Sequence, residues 1–254
     1  MTGVVPGSVI LVTGATGAIG FEIAAQAAEA GAVVGVHGSR AETVEGAIER
    51  LRARAPAATL VAAPGDFRTP GVIEAVVARV AAEGGRLDAV VHCAITAAPR
   101  ITGPFRKTDP QSFDAAAQNM LAIFQKLCFA ALPPLAVQGG AIIGFASDSG
   151  RFAAARQSII GAAYGGVMAF VRNLAVEAAR DKVRVHCISP SYVVDTPVFD
   201  AFAAVANRAE RAQARAQLGL PSPKDIAPMT LFLCGPGAAK ITGQIISING
   251  GLNA

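Results

Sequence analysis

The sequence predicts an α/β fold: a doubly wound parallel sheet of about seven strands with helices on both faces. Three observations carry that expectation. Seven short apolar runs, "SVILVTG", "AVVGVHG", "ATLVAAPGD", "LDAVVHCA", "GGAIIGFAS", "KVRVHCISP" and "QIISING", are spread along the chain. Alanine-rich stretches of helical character separate them, among them Gly20–Ala30, Ala41–Ala53, Gly71–Glu83 and Asp109–Leu132. The runs are continuously apolar, as strands are when both faces of a sheet are covered and each crossover starts a parallel neighbour.

Taken in order, the first run leads into "VTGATGAIGFEIA". Glycines between a strand and a helix permit a tight turn and let backbone N–H groups at the helix N-terminus meet a pyrophosphate. Such a turn also arises for packing alone, so the loop by itself leaves both readings open. The second run ends "VHGSR" and the third at Asp66; the fourth and fifth lead to His92 and Ser147. Between the last two runs, "DTPVFDAFAAVANRAERAQARAQLGLPSP" (195–223) is the longest interruption and reads as a helical flap where a substrate lid would sit. No repeat, low-complexity tract or linker divides the chain, so residues 1–254 read as a single domain.

Composition narrows the function classes. Of 254 residues, 52% are hydrophobic and 16% charged, against about 25% charged in an ordinary domain. A chain so short of charge has trouble covering its own surface, and burial between subunits is the simplest remedy. The net charge of +4 is modest, and Lys and Arg are scattered without aromatic interleaving. That argues against nucleic acid and suits an anionic ligand. Cys93, Cys128, Cys187 and Cys234 lie far apart in apolar segments with no metal-type spacing. Reduced thiols, no metal site and a cytoplasmic location follow as expectations. The first run is short and lacks a basic leader, so it reads as a strand, not a signal peptide; no stretch is expected to span a bilayer, and no membrane partner follows. His37, His92 and His186 sit singly in or at the ends of strands and share no short motif, which favours packed rings over catalysts.

The chain resembles the short-chain dehydrogenase/reductase family, in particular its compact members similar to 3-oxoacyl-carrier-protein reductases. The resemblance spans nearly the whole chain. It rests on Thr13-Gly14, Asp66, "GRLDAVVHCA", Asn119, Ser147, "NLAVEAARDKVRVHCISPS" and "ITGQIISINGG". It implies a Rossmann-type fold, a NAD or NADP cofactor, and four catalytic positions. Asn anchors a proton-relay water, Ser binds the substrate oxygen, and Tyr gives or takes the proton. Lys, one helical turn after the Tyr, lowers its pKa and holds the nicotinamide ribose. A phenol titrating near pH ~10 needs such a cation to work near neutrality.

Asn119 and Ser147 match the first two positions. The family spacing from Ser147 puts Ile160 at the Tyr position and Tyr164 at the Lys position; counting back from "LAVE" reaches 164 again. Taking Tyr164 as the catalytic Tyr would place Met168 at the Lys, and the longer spacing of related enoyl reductases would place Gln157 at the Tyr. Every register leaves the acid–base pair incomplete, so conventional hydride transfer is expected to be lost. Tyr164 is either a new acid or a filler of the volume that Lys and ribose vacate.

The cofactor path departs from the family too. Ala18 stands at the loop's middle glycine with Gly17 one place early, a pattern similar to the extended branch of the superfamily. "HCAI", His92 to Ile95, replaces "NNAG" and puts a branched side chain where backbone lies against the cofactor. Pro190-Ser191 replaces "PG", and Thr196 arrives one residue late. The remaining candidates to bind cofactor are Thr13, Gly14, Thr16, Gly17, Ile19, Gly20, Asp66, Phe67, Ala94 and Thr196. Because "VHGSR" lacks an acidic residue, Ser39 and Arg40 would meet a 2′-phosphate, leaning toward NADP over NAD; a solvated Arg40 is the equal alternative. Binding is expected to be weakened or lost.

Three functions follow. The first is a non-catalytic subunit, a homo-oligomer or a hetero-oligomer with an active homologue, in keto or acyl-thioester metabolism. The second is a repurposed cyclase, dehydratase or aldolase-like enzyme using Asn119, Ser147 and Tyr164, and the third an unusual NADP-dependent oxidoreductase. For assembly, the helices Asp109–Leu132 and Ile159–Arg180 offer Ile123, Leu127, Met168, Val171 and Leu174 at spacings of three and four, with "QIISINGGLNA" as a second contact.

Overall fold

The structure, a computed structural model, describes residues 3–94, 101–203 and 207–253. The strands are β1 (Val9–Thr13), β2 (Val33–Val36), β3 (Leu60–Ala62), β4 (Ala89–His92), β5 (Gly140–Phe145), β6 (Val183–Pro190) and β7 (Ile245–Ile248). They form one sheet, parallel throughout, in the order β3-β2-β1-β4-β5-β6-β7. The order reverses between β1 and β4, where an open α/β sheet leaves a crevice beyond its carboxyl ends.

Helices cover both faces. On one side lie α1 (Ala18–Glu29), α2 (Ala41–Arg54) and α9 (Pro223–Cys234), packed on Ile10, Val12, Val34 and Ile143. On the other lie α3 (Val72–Gly84), α4 (Ser112–Ala117), α5 (Ile123–Ala136) and α6 (Ser158–Ala178), packed on Val9, Leu11, Val90 and Ile142. Successive residues of each strand therefore feed opposite cores, the period of two that a pleated strand imposes. The Rossmann-type architecture read from the sequence holds.

The long helix expected over Asp109–Leu132 is broken. It runs as α4, a π turn at Gln118–Ala122, then α5. Helix α5 continues through Pro133 and Pro134, which would normally end it by removing N–H donors. Both fall in the last turn, and Leu135 beyond them is fully buried, so packing carries the helix to Ala136. Counted through the π turn, Ser112–Ala136 and Ser158–Asp181 reach 25 and 24 residues, long and apolar enough to cross a membrane by length and composition alone. No stretch of that kind was expected. Here their inner faces pack on the sheet through Phe124, Leu127, Val167 and Val171.

That packing corrects the interface expectation. Ile123, Leu127, Met168 and Val171 are buried in the chain's own core, and Leu174 is partly buried against it. The apolar residues these helices leave open are Phe129 (78% exposed), Val137 just past α5 (83%) and Val176 (78%). Between β6 and α9 the flap contains α7 (Pro197–Ala203) and α8 (Arg208–Arg215). Ala212 and Ala216 form a small separate core with Leu252, flanked by Tyr192 and Leu220.

Candidate functional site

The site lies beyond the carboxyl ends of β1, β4 and β5. Gly14 adopts φ +70°, and a Cβ there would stand 2.7 Å from the Ala94 nitrogen, so the loop backbone lies directly on the segment after β4. Gly20 lets α1 approach equally closely: its Cβ would meet the Gly14 carbonyl oxygen at 2.3 Å. Gly17 is the N-cap of α1 in extended conformation, exposed, and has no side-chain cap. The first N–H groups of the helix, at Ala18, Ile19 and Gly20, therefore point outward without an intrahelical partner. A glycine-floored helix N-terminus of this kind fits a pyrophosphate. Ala18 does not obstruct it, because it is the first residue of the helix.

His37 holds this loop from behind. Its Nδ1 accepts the Gly14 backbone N–H at 3.3 Å, its Nε2 lies 2.9 Å from the Gly65 carbonyl oxygen, and its ring stacks on Phe67 at 4.0 Å. With Nδ1 facing a donor and Nε2 facing an acceptor, the ring is specified as the neutral Nε2–H tautomer. Burial lowers its pKa to about 4. His92 is packed similarly: Nδ1 lies 2.8 Å from Thr13 Oγ1 and the ring stacks on Phe124 at 5.3 Å. Burial, with a contribution from His37, lowers its pKa to about 3. Thr13 is thus committed to its neighbour on β4. His186 is different. It is fully buried, the Ile241 carbonyl approaches it, and among the described residues neither ring nitrogen has a partner in hydrogen-bond geometry.

Beyond β2, Ser39 and Arg40 are exposed, and among the described residues none forms an ion pair with Arg40. Asp66 is engaged: Arg68 donates to it through Nε at 3.0 and 3.1 Å, and the pair holds the carboxyl below its usual range. Gly65 N–H donates to the Gly38 carbonyl at 2.9 Å, which places Asp66 and Arg68 beside Ser39 and Arg40. Thr16 closes this corner, its methyl 2.6 Å from where a Gly38 Cβ would be. Thr196 is occupied locally: it donates to the Val193 carbonyl at 2.8 Å and accepts from Phe199 N–H at 3.2 Å, opening α7. Ala94 ends the described segment; Ile95 lies outside the described residues.

The reaction-centre positions are brought together by one close contact. Ser147 begins a 3-10 turn, Asp148–Gly150, and its Oγ accepts weakly from Ser149 N–H and Oγ at 3.5 and 3.3 Å. That turn rests on α6 where the helix is bare: a Cβ on Gly150 would meet the Gly165 nitrogen at 2.6 Å, and one on Gly161 the Ser149 oxygen at 2.7 Å. The glycines in α6, costly for helix propensity, are what let the Ser147 turn sit down. Ile160 is partly buried against the core. Tyr164 is 6% exposed. Burial, aided by the nearby Cys187 thiol, pushes its pKa up beyond the ordinary tyrosine range. Asn119 is buried in the π turn, which meets α6 through Leu121 at Gly166. π turns recur at functional sites.

Two contacts of the site carry no local signature in the sequence. One is the Gly14–His37 bridge, spanning two strands. The other is Asp148, a buried carboxylate ringed by hydroxyl and amide donors. Burial pushes all four cysteine thiols upward, and among the described residues no group of three could hold a metal ion.

Comparison with known proteins agrees with the geometry. A family model described as enoyl-(acyl carrier protein) reductase matches residues 14–253. The 3-oxoacyl-[acyl-carrier-protein] reductase of Chlamydia trachomatis is 26% identical over 99% of this chain and 100% of its own length. The cis-4-hydroxycyclohexanecarboxylate dehydrogenase of Sinomonas cyclohexanicum is 32% identical, covering 97% and 96%. Among solved structures, a short-chain type dehydrogenase/reductase from Mycobacterium ulcerans superimposes with a TM-score of 0.91 at 25% identity, covering 98% and 90%. A 7α-hydroxysteroid dehydrogenase complexed with NADH shares the fold at a TM-score of 0.89 and 24% identity, covering 98% and 95%.

Proposed function

We propose, from the premise that this chain belongs to the short-chain dehydrogenase/reductase family, that it has kept the family framework and lost conventional hydride transfer. In this reading it is a non-catalytic, cytoplasmic subunit, a single domain assembled with itself or with an active homologue that acts on keto or acyl-thioester substrates. One observation carries the reading. The two positions that supply acid and cation in the family hold Ile160, which has no proton to give, and Tyr164, sealed against the core with its pKa displaced away from neutrality. Losing a positioned acid or base removes about 10²–10⁴ in rate, and here the tuning cation is missing as well.

The glycine loop and the open N-terminus of α1 suit a dinucleotide pyrophosphate. Ser39 and Arg40, with Arg68 close by, suit a 2′-phosphate and hence NADP over NAD. The other end of the site offers less. Tyr164 stands where the family's ribose-binding lysine would, and Thr196 already serves α7. Weak binding of NADP or NAD follows. The assembly is supported by Phe129, Val137 and Val176, which two core helices leave in solvent.

The test is to assay the isolated protein for NADPH-dependent reduction of a 3-oxoacyl thioester. Background turnover is expected; a rate within about tenfold of an intact family member overturns the proposal. Co-purification from the native source, with mass spectrometry of proteins and small molecules, is expected to recover an intact homologue. A bound keto product without any homologue would instead favour the repurposed-enzyme reading, for which Ser147 and Asn119 remain in place.

A further inference from the structure

We propose that Asp148 is a positioning residue that ties the Ser147 turn to the flap helix α8 through the turn at residues 249–253. The coupling goes beyond the loss of hydride transfer and holds whether or not that reading is right, because its test needs no turnover.

The starting point is a carboxylate where none is cheap. Asp148 is 2% exposed, and an unpaired buried anion is strongly disfavoured. It is satisfied entirely by neutral donors. Ser189 Oγ and Ser247 Oγ donate to Oδ1 at 2.9 and 3.1 Å, and Asn249 Nδ2 and Asn253 Nδ2 donate to Oδ2 at 2.6 and 3.2 Å. The cation nearest in sequence, Arg151, does not bond Asp148 itself; its Nη1 donates to the Ile245 carbonyl and to Ser247 Oγ, a member of the ring, at 3.4 Å. The four donors come from β6, from β7 and from the turn beyond it. An apolar residue of similar volume would serve packing at lower cost. The carboxylate thereby joins the Ser147 turn to β6, to β7 and to the turn beyond it.

The links continue outward without a break. Asn253 is shared: while its Nδ2 donates to Asp148, its Oδ1 accepts from Arg215 Nη2 of α8 at 3.4 Å, and the same nitrogen donates to the Leu252 carbonyl. Leu252 packs on Ala212 of α8 and on Ala216 just past its end. Leu218 N–H donates to the Gly250 carbonyl at 3.0 Å. A Cβ on Gly250 would fall 1.8 Å from the Gly219 oxygen, so this junction has no slack. Inward, the Asp148 carbonyl accepts from Arg151 and Phe152 at 2.9 and 2.7 Å, and the Ser147 carbonyl from Gly150 at 2.9 Å. The turn then abuts Gly161 and Gly165 of α6. Displacing the flap pulls on Asn253 and so on Asp148.

Coupling of this kind is reciprocal, and that separates it from a merely structural carboxylate. Limited trypsin digestion should follow cleavage after Arg211 and Arg215 in α8, relative to cleavage after Arg52 in α2. Asp148→Asn and Asn253→Ala are each expected to raise that ratio roughly fivefold or more, and the double variant to match Asp148→Asn within about twofold. In the other direction, Arg215→Ala is expected to speed hydrogen exchange of the Gly150 and Arg151 amides several-fold, although residue 215 lies outside their turn. A folded Asp148→Asn with an unchanged ratio, additive effects in the double variant, or unaltered exchange in Arg215→Ala would each overturn the proposal. If Asp148→Asn does not fold, Asn253→Ala and Arg215→Ala decide by the same criteria.

Discussion

Gly161 of α6 and the carbonyl of Ser149 meet so closely that a Cβ on Gly161 would lie 2.7 Å from that oxygen. The contact is backbone against backbone, so neither side has a flexible end to yield. Gly161→Ala should therefore lower stability by about 1–3 kcal/mol despite a gain of about 1 kcal/mol in helix propensity. Gly165→Ala, whose Cβ meets only the Gly150 oxygen at 3.4 Å, should be neutral or stabilising by up to about 1 kcal/mol. Urea denaturation of both variants checks the ordering, and a stabilised Gly161→Ala would contradict the packing.

Tyr164 faces Cys187 from within the core, so its position no longer suits a cation. Tyr164→Lys should destabilise by more than about 2 kcal/mol, since the ammonium must be buried or neutralised. Tyr164→Phe should cost well under half as much. Equal stabilities of the Lys and Phe variants would mean that the position still opens to solvent.

The three histidines set the acid sensitivity. Burial lowers His37 and His186 from 6.5 to about 4 and His92 to about 3. Between roughly pH 6.5 and 4 the unfolded chain binds protons that the folded chain refuses. The stability they contribute is fully present above pH ~6.5 and is lost as pH falls, by about 1–2 kcal/mol per ring at pH 5. Denaturant midpoints at pH 7.5 and 5 should differ in that sense; equal midpoints would reject it.

His186 is the ring with no hydrogen-bond partner. His186→Val should be neutral or stabilising by about 1 kcal/mol, because it removes an unsatisfied polar group from a strand core. His37→Ala should destabilise instead, as it strips the Gly14 N–H of its acceptor. In thermal unfolding, His37→Ala should melt below the wild type and His186→Val at or above it.

Phe129→Asp and Val176→Asp place charges on the apolar surface left outside the core. Light scattering should show the protein as an oligomer and either variant with a smaller mass. A wild-type chain monomeric at micromolar concentration would remove the assembly.

The parts legible in the sequence were those with local signatures. Continuous apolar runs marked the strands. What stayed hidden was tertiary. Leu127 and Met168 carry the same spacing whether a helix meets the sheet or another subunit, and only the fold shows that the sheet takes them. His37 reaches Gly14 across two strands, and Asp148 collects donors 41 to 105 residues away. No periodicity records such contacts. The π turn was invisible for a related reason: Asn119 sits in an ordinary helical pattern whose extra residue leaves no mark.

The sequence separations around Asp148 also bear on how the chain is made. Synthesis runs from the N-terminus, so Asp148 leaves the ribosome while Asn249 and Asn253, 101 and 105 residues later, do not yet exist. Until they arrive, only Ser189 and then Ser247 can satisfy the carboxylate, and burying it before the ring of donors is complete carries a desolvation cost. The last strand and the turn beyond it are thus the elements whose arrival completes the ring.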